Sequence, residues 1–235
     1  MRKPFSSFAE RRSFLTSLNA GIASIAGLAL SGIARAQGRS IANPRWEPAR
    51  HDKDNWLDEI PGKHRVVFDT TSYDYLADAT LFAGNFIRVN QADYGLPSSE
   101  LATVIVVRHR STPFGYNDAM WAKYGTAIAA RSKVEDPKTK QPPKINIFNS
   151  RDYGEVLGNR GTTLDSLFKE GVQLAVCASS TRAYAASIAQ AMGGDADVIF
   201  KELTSNLIGS NARMVPAGIV AVNRAQERGY SLVSI

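Results

Sequence analysis

The chain has 235 residues, 44% hydrophobic and 21% charged, enough for one globular domain with extensions and a sizeable core. That balance excludes disorder along the whole chain and a multi-span membrane protein. A formal charge of +6 by itself suggests nucleic acid or an anionic membrane surface as partner, and the single cysteine, Cys177, excludes an internal disulfide and any multi-cysteine metal cluster.

The first segment reads as an address. Glu10-Arg-Arg-Ser-Phe-Leu15 is followed by an uncharged run from Ser13 to Ala34, and Ala34-Arg-Ala36 places small residues where a signal peptidase reads. Together these resemble a bacterial twin-arginine signal, cleaved after Ala36. An uncleaved membrane anchor is the competing reading. It is the less favoured one, because the run from Asn19 to Ile33 holds three glycines and three Ser or Asn residues. Removing residues 1–36 takes away five of the 28 basic residues and one of the 22 acidic ones, so the charge falls from +6 to +2. Little then supports binding to nucleic acid. The expected location is the periplasm, with the twin-arginine translocase as the partner during export.

Residues 37–63 form a polar arm with Pro44, Pro48 and Pro61 and two isolated tryptophans, Trp46 and Trp56. The prolines argue against a long helix. The tryptophans either pin the arm to its own domain, the favoured reading, or carry it to a neighbouring subunit.

From residue 64 onward, strands alternate with helices. Strands are expected at 65–69, 101–108, 172–177, 213–215 and 230–234. The second, Leu-Ala-Thr-Val-Ile-Val-Val, is apolar on both faces, as a buried parallel strand should be. Residues 74–90 read as a helix with Tyr75, Ala79, Phe82, Phe86 and Val89 on one face. A short helix is expected over 118–124. Residues 131–162 read as a long excursion, charged, proline-bearing and then glycine-rich. Further helices are expected over 164–170, capped by Thr163, over 181–192 with Tyr184, Ile188 and Ala191 on one face, over 196–208, and from Pro216 to the stop at Gly229. The pattern specifies an α/β protein: a mostly parallel five-stranded sheet covered on both faces.

Three blocks carry a family resemblance. They are Val104-Ile-Val-Val-Arg-His109 with Thr112-Pro-Phe114 and Asn117-Asp-Ala-Met-Trp-Ala-Lys-Tyr124; Gly171-Val-Gln-Leu-Ala-Val-Cys177; and Val215-Pro-Ala-Gly-Ile219 through Gln226-Glu-Arg-Gly-Tyr230. Over residues 64–235 the chain resembles the DsrE/DsrF-like sulfur-relay superfamily, in its exported branch. The resemblance implies a three-layer α/β/α domain and homo-oligomers. It also implies a cysteine at a strand end that carries sulfur as a persulfide, the place held here by Cys177. The sequence after it, Ala178-Ser-Ser-Thr-Arg182, departs from the Arg-Gly-containing pattern of cytoplasmic relay members, and the 131–162 segment is a further departure.

The residues themselves support a site at one sheet edge. A thiol where a strand gives way to a helix meets unpaired N–H groups that favour its thiolate, although free cysteines are often inert and buried. His109 ends the second strand, which the resemblance implies is a neighbour of the third, and a Cys–His pair is a common route to a thiolate; the competing reading is a histidine satisfied by a loop carbonyl. Thr70, Thr71 and Ser72 follow the first strand, either capping a helix or holding a small anion. Arg108, Arg110 and Arg182 flank the edge and would attract an anionic sulfur species, if they are not simply solvated. A metal site from His109, Cys177 and Asp118 is disfavoured on ligand count. No glycine-rich nucleotide loop and no nucleophile elbow occurs, and no cofactor is expected. The leading expectation is a sulfur carrier that takes sulfur from a small donor or a sulfur-carrier protein. The alternative is a non-catalytic oligomeric binding or scaffold module of the same fold.

Overall fold

The computed structural model describes residues 47–235. The signal, its cleavage site and Trp46 lie outside the described residues.

Five strands, β1 (His64–Thr70), β2 (Leu101–Val107), β3 (Gln173–Cys177), β4 (Ala212–Val215) and β5 (Ser231–Ser234), form one sheet in the order β4-β3-β2-β1-β5. Every neighbouring pair is parallel. All seven residues of β2 are buried, which is why its sequence lacks the polar alternation of a one-sided strand. The helices are α1 (Trp56–Glu59), α2 (Tyr73–Tyr94), α3 (Asp118–Ser132), α4 (Leu164–Lys169), α5 (Ala178–Met192), α6 (Ala196–Ser205) and α7 (Gly218–Gln226).

Topology sorts these helices into layers. From β1 through β4 the chain steps across the sheet in one direction, and right-handed crossovers place α2 to α6 on one face. From β4 it must return across the whole sheet to reach β5, so the same handedness places α7 on the opposite face. Two cores result. Phe68, Ile105, Val107, Leu174 and Val176 pack under α2, α3 and α5, while Val67, Val104, Val106, Ala175 and Val215 pack under α7. The fold is therefore α/β with three layers.

Residues 47–63 are pinned to their own domain. Trp56 and Leu57 are buried in the core beneath α7. The carbonyl of Leu57 accepts hydrogen bonds from the Arg65 guanidinium (3.0 Å) and the Tyr230 hydroxyl (2.8 Å), and Arg213 stacks on the Trp56 ring.

Helices α6 and α7 are shorter than the 196–208 and 216–229 expected, and three others differ more. In α2 the buried positions are Leu76, Ala77, Ala79, Thr80, Ala83 and Ile87, while Tyr75 and Phe82 stay exposed. A stripe of small residues lets the helix axis approach the sheet, whereas the aromatic stripe would hold it off. In α5, Tyr184 and Ile188 are buried as expected but Ala191 is exposed, lying in the last turn beyond the sheet. Finally, α3 runs to Ser132 and does not stop near Tyr124. Gly125 admits the Pro143 carbonyl against the helix where a Cβ would clash.

That contact also explains the 131–162 segment. It is packed chain, with Ile147 and Phe148 fully buried and two 3-10 turns at Ile147–Asn149 and Arg151–Tyr153. Asn146 anchors it by donating to the carbonyls of Phe114 (2.7 Å) and Tyr116 (2.9 Å).

Candidate functional site

The carboxyl ends of β1, β2 and β3 lie side by side, Thr70 level with Val107 and Val107 level with Val176. The loops that leave them form a hydrogen-bonded floor. Thr70 is buried, and its hydroxyl donates to the Val106 carbonyl at 2.8 Å. Ser111 donates to the Thr70 carbonyl (2.9 Å) and accepts the Arg108 N–H (3.0 Å). The Thr71 carbonyl accepts the Arg110 N–H (2.9 Å). The Ser72 hydroxyl accepts the Tyr75 N–H and caps α2. Thr70 and Ser72 thus use their hydroxyls in the scaffold, and Thr71 contributes its carbonyl.

Alternation along the strands assigns side chains to faces. Asp69, Arg108 and Cys177 follow Val67, Val106 and Ala175 on the α7 side. There Arg108 grips Asp69 through two hydrogen bonds of 2.7 and 2.8 Å. This contact raises the guanidinium pKa further, against the opposing effect of burial, and Cys177 adds a smaller Coulombic contribution in the same direction. Gly218, at the start of α7, must be glycine: a Cβ there would come within 2.6 Å of the Arg108 Cβ.

Cys177 is 4% exposed. It is the N-cap of α5, and its sulfur accepts the Ser180 N–H at 3.4 Å, while its carbonyl accepts the Thr181 hydroxyl at 2.9 Å. The Tyr116 hydroxyl donates to Thr181 in turn (2.8 Å), and burial pushes the Tyr116 phenol far up. Cys177 pairs with Val215, the last residue of β4. From these neighbouring strands the chain leaves toward opposite faces, to α5 and to α7. Such a divergence opens a crevice at the carboxyl end of an α/β sheet.

His109 is an exposed residue on the loop after β2, held in the left-handed region at φ 56°. Its backbone N–H donates to the Ser180 hydroxyl at 3.0 Å. No hydrogen bond joins its imidazole to Cys177 among the described residues; the connection between the two runs through Ser180. Arg182 does not join the edge. It reaches toward α6, 3.9 Å from Asp197 and stacked 4.0 Å over the Phe200 ring. Asp118 is also spent elsewhere, accepting the Asn146 N–H, and among the described residues no three His, Cys, Asp or Glu side chains converge on a metal position.

Sequence reasoning missed Asp69, Ser111, Ser180, Arg131 and Tyr184. Asp69 carried a readable signal, an acid closing an apolar strand, which demands a buried partner. The others sit within ordinary loop and helix sequence. No described helix is long and apolar enough to cross a membrane. No family model, no curated protein and no solved structure matches the chain.

Proposed function

We propose that this is an exported DsrE-like sulfur carrier that binds sulfur as a persulfide on Cys177. The observation that carries the reading is the position of Cys177, where β3 and β4 part toward opposite faces, with its sulfur against the Ser180 N–H at the start of α5. Arg108, held by Asp69, lies in the same neighbourhood. The twin-arginine pattern at the N-terminus supports a periplasmic location for the carrier. In the transfer step, the Cys177 thiolate attacks the outer sulfur of a donor persulfide, R–S–SH. The donor S–S bond breaks, a new S–S bond forms at Cys177, and R–S⁻ leaves as a thiolate. Electrons balance without an external oxidant.

The low exposure of Cys177 favours a second reading, a non-catalytic oligomeric binding or scaffold module. One experiment separates the two. The full chain is incubated with a polysulfide donor under native conditions, and its intact mass is measured. The carrier reading expects a gain of one sulfur atom, reversed by a thiol acceptor and absent in Cys177→Ser. A thiol that gains sulfur only after denaturation overturns it.

A further inference from the structure

Beyond the thiol, the opposite side of the same sheet edge holds a depression of about 380 Å³, and its lining is charged with one sign. Arg110 and Arg131 contribute guanidinium groups, His109 an imidazole, Ser179 and Ser180 hydroxyls, and Tyr184 the floor. No carboxylate lines it, and neither arginine has an ion-pair partner among the described residues. Several other arginines of the domain do have acidic partners: Arg108 has Asp69, Arg224 has Glu227, Arg228 has Asp58, and Arg182 lies near Asp197.

The Arg131 cation is also held in place. Arg131 stacks 5.1 Å over the Tyr184 ring and donates to the Ser187 hydroxyl at 2.8 Å, which fixes the plane of its guanidinium. Arg110 is positioned through its backbone, whose N–H is bonded to Thr71. Burial pushes the Tyr184 phenol up, and the hydrogen bond with Ser132 and then the charges of Arg131 and Arg110 oppose it, as two cations near this residue should. Two guanidinium groups on a concave surface, that of Arg131 fixed, with no acid to satisfy them and with serine hydroxyls beside them, match an anion carrying several oxygens. The volume limits the ligand to a small one.

We infer that this depression binds a small tetrahedral oxyanion, of sulfur or of phosphorus, between Arg110 and Arg131. The site does not depend on the persulfide reading, because Cys177 does not line the depression and meets it only through the Ser180 backbone N–H. Isothermal titration of the full chain with sulfate, thiosulfate and phosphate at constant ionic strength tests it. Saturable binding of at least one of them is expected, with affinity about tenfold weaker in Arg110→Gln and unchanged in Cys177→Ser. Arg131→Lys keeps the charge but loses the planar fork and weakens binding, whereas Arg131→Gln removes both. Tighter binding of thiosulfate than phosphate assigns the site to sulfur oxyanions, and the reverse order assigns it to phosphoryl groups. The inference is overturned by the absence of saturable binding with all three anions, or by equal affinity in a folded Arg110→Gln protein.

Discussion

At the scale of single residues, the loop after β2 does most to shape the site. Three consecutive residues there are used in three ways. Arg108 turns toward α7 and pairs with Asp69, His109 takes a left-handed backbone, and Arg110 faces the cationic depression. A left-handed φ is unfavourable for a side chain bearing a Cβ, by about 1 kcal/mol. It persists at His109 because the N–H gains the Ser180 hydroxyl and the neighbouring N–H groups reach Ser111 and Thr71. Replacing His109 by glycine should therefore raise stability by about 1 kcal/mol in urea unfolding, and sulfur loading on Cys177 should persist. Loading that disappears in a stable His109→Gly protein would mean that the imidazole takes part in the chemistry after all.

Among the elements, α3 and the segment after it form a unit. The helix offers Gly125, the segment lays its Pro143 carbonyl there, and Phe148 then stacks edge-on to Phe114 with ring centroids 4.7 Å apart. Arg131, in the last turn of α3, reaches the depression because this helix continues past Gly125. Gly125→Ala should cost about 1–3 kcal/mol, since the added methyl displaces a backbone carbonyl and not a flexible side chain. Hydrogen exchange should quicken at residues 143–149 more than in the sheet. Uniform exchange, with no local change, would mean that the segment is held by other contacts. The opposite treatment of α2, whose small residues face the sheet and whose Tyr75 and Phe82 face outward, follows the same rule that close approach selects small side chains.

For the whole molecule, the 131–162 segment contributes to both acid and alkaline stability through one pair. The Asp136 carboxylate is buried, which raises its pKa. Hydrogen bonds from the Tyr153 hydroxyl (2.6 Å) and the N–H groups of Thr139 and Lys138 outweigh burial and hold it below the usual carboxylate range. Its stabilising contribution is complete above the unfolded value, about pH 4, and is lost as pH falls through the lower folded value. Tyr153 is pushed up to about 12, first by the hydrogen bond to Asp136 and then by burial. Its contribution is complete below about pH 10 and is lost as pH rises toward the folded value. The urea midpoint should therefore fall at both ends of the pH range, and Asp136→Asn should flatten both limbs. A variant curve parallel to that of the parent protein would place the acid sensitivity elsewhere.

The sequence by itself determined the architecture. The all-apolar run of β2 and the alternation of strand and helix are local signals, and all five strands lie within a residue or so of where these signals put them, whereas the final helix, expected from Pro216 to Gly229, runs from Gly218 to Gln226. The sequence also placed Cys177, His109, Arg108 and Thr70 at one edge, because parallel strands bring their carboxyl ends together. Only the tertiary structure decided which side of that edge each one faces. Asp69 and Arg108 point one way, while Arg110 lines a depression with Arg131 and Tyr184 on the other, and these last two come from two different helices. Strand periodicity fixes a side chain's face relative to its neighbours in sequence, but the choice of which helix covers that face depends on crossover direction. That direction is a property of the whole chain, so the cation pair between the loop after β2 and the end of α3 leaves no mark in any local stretch of sequence.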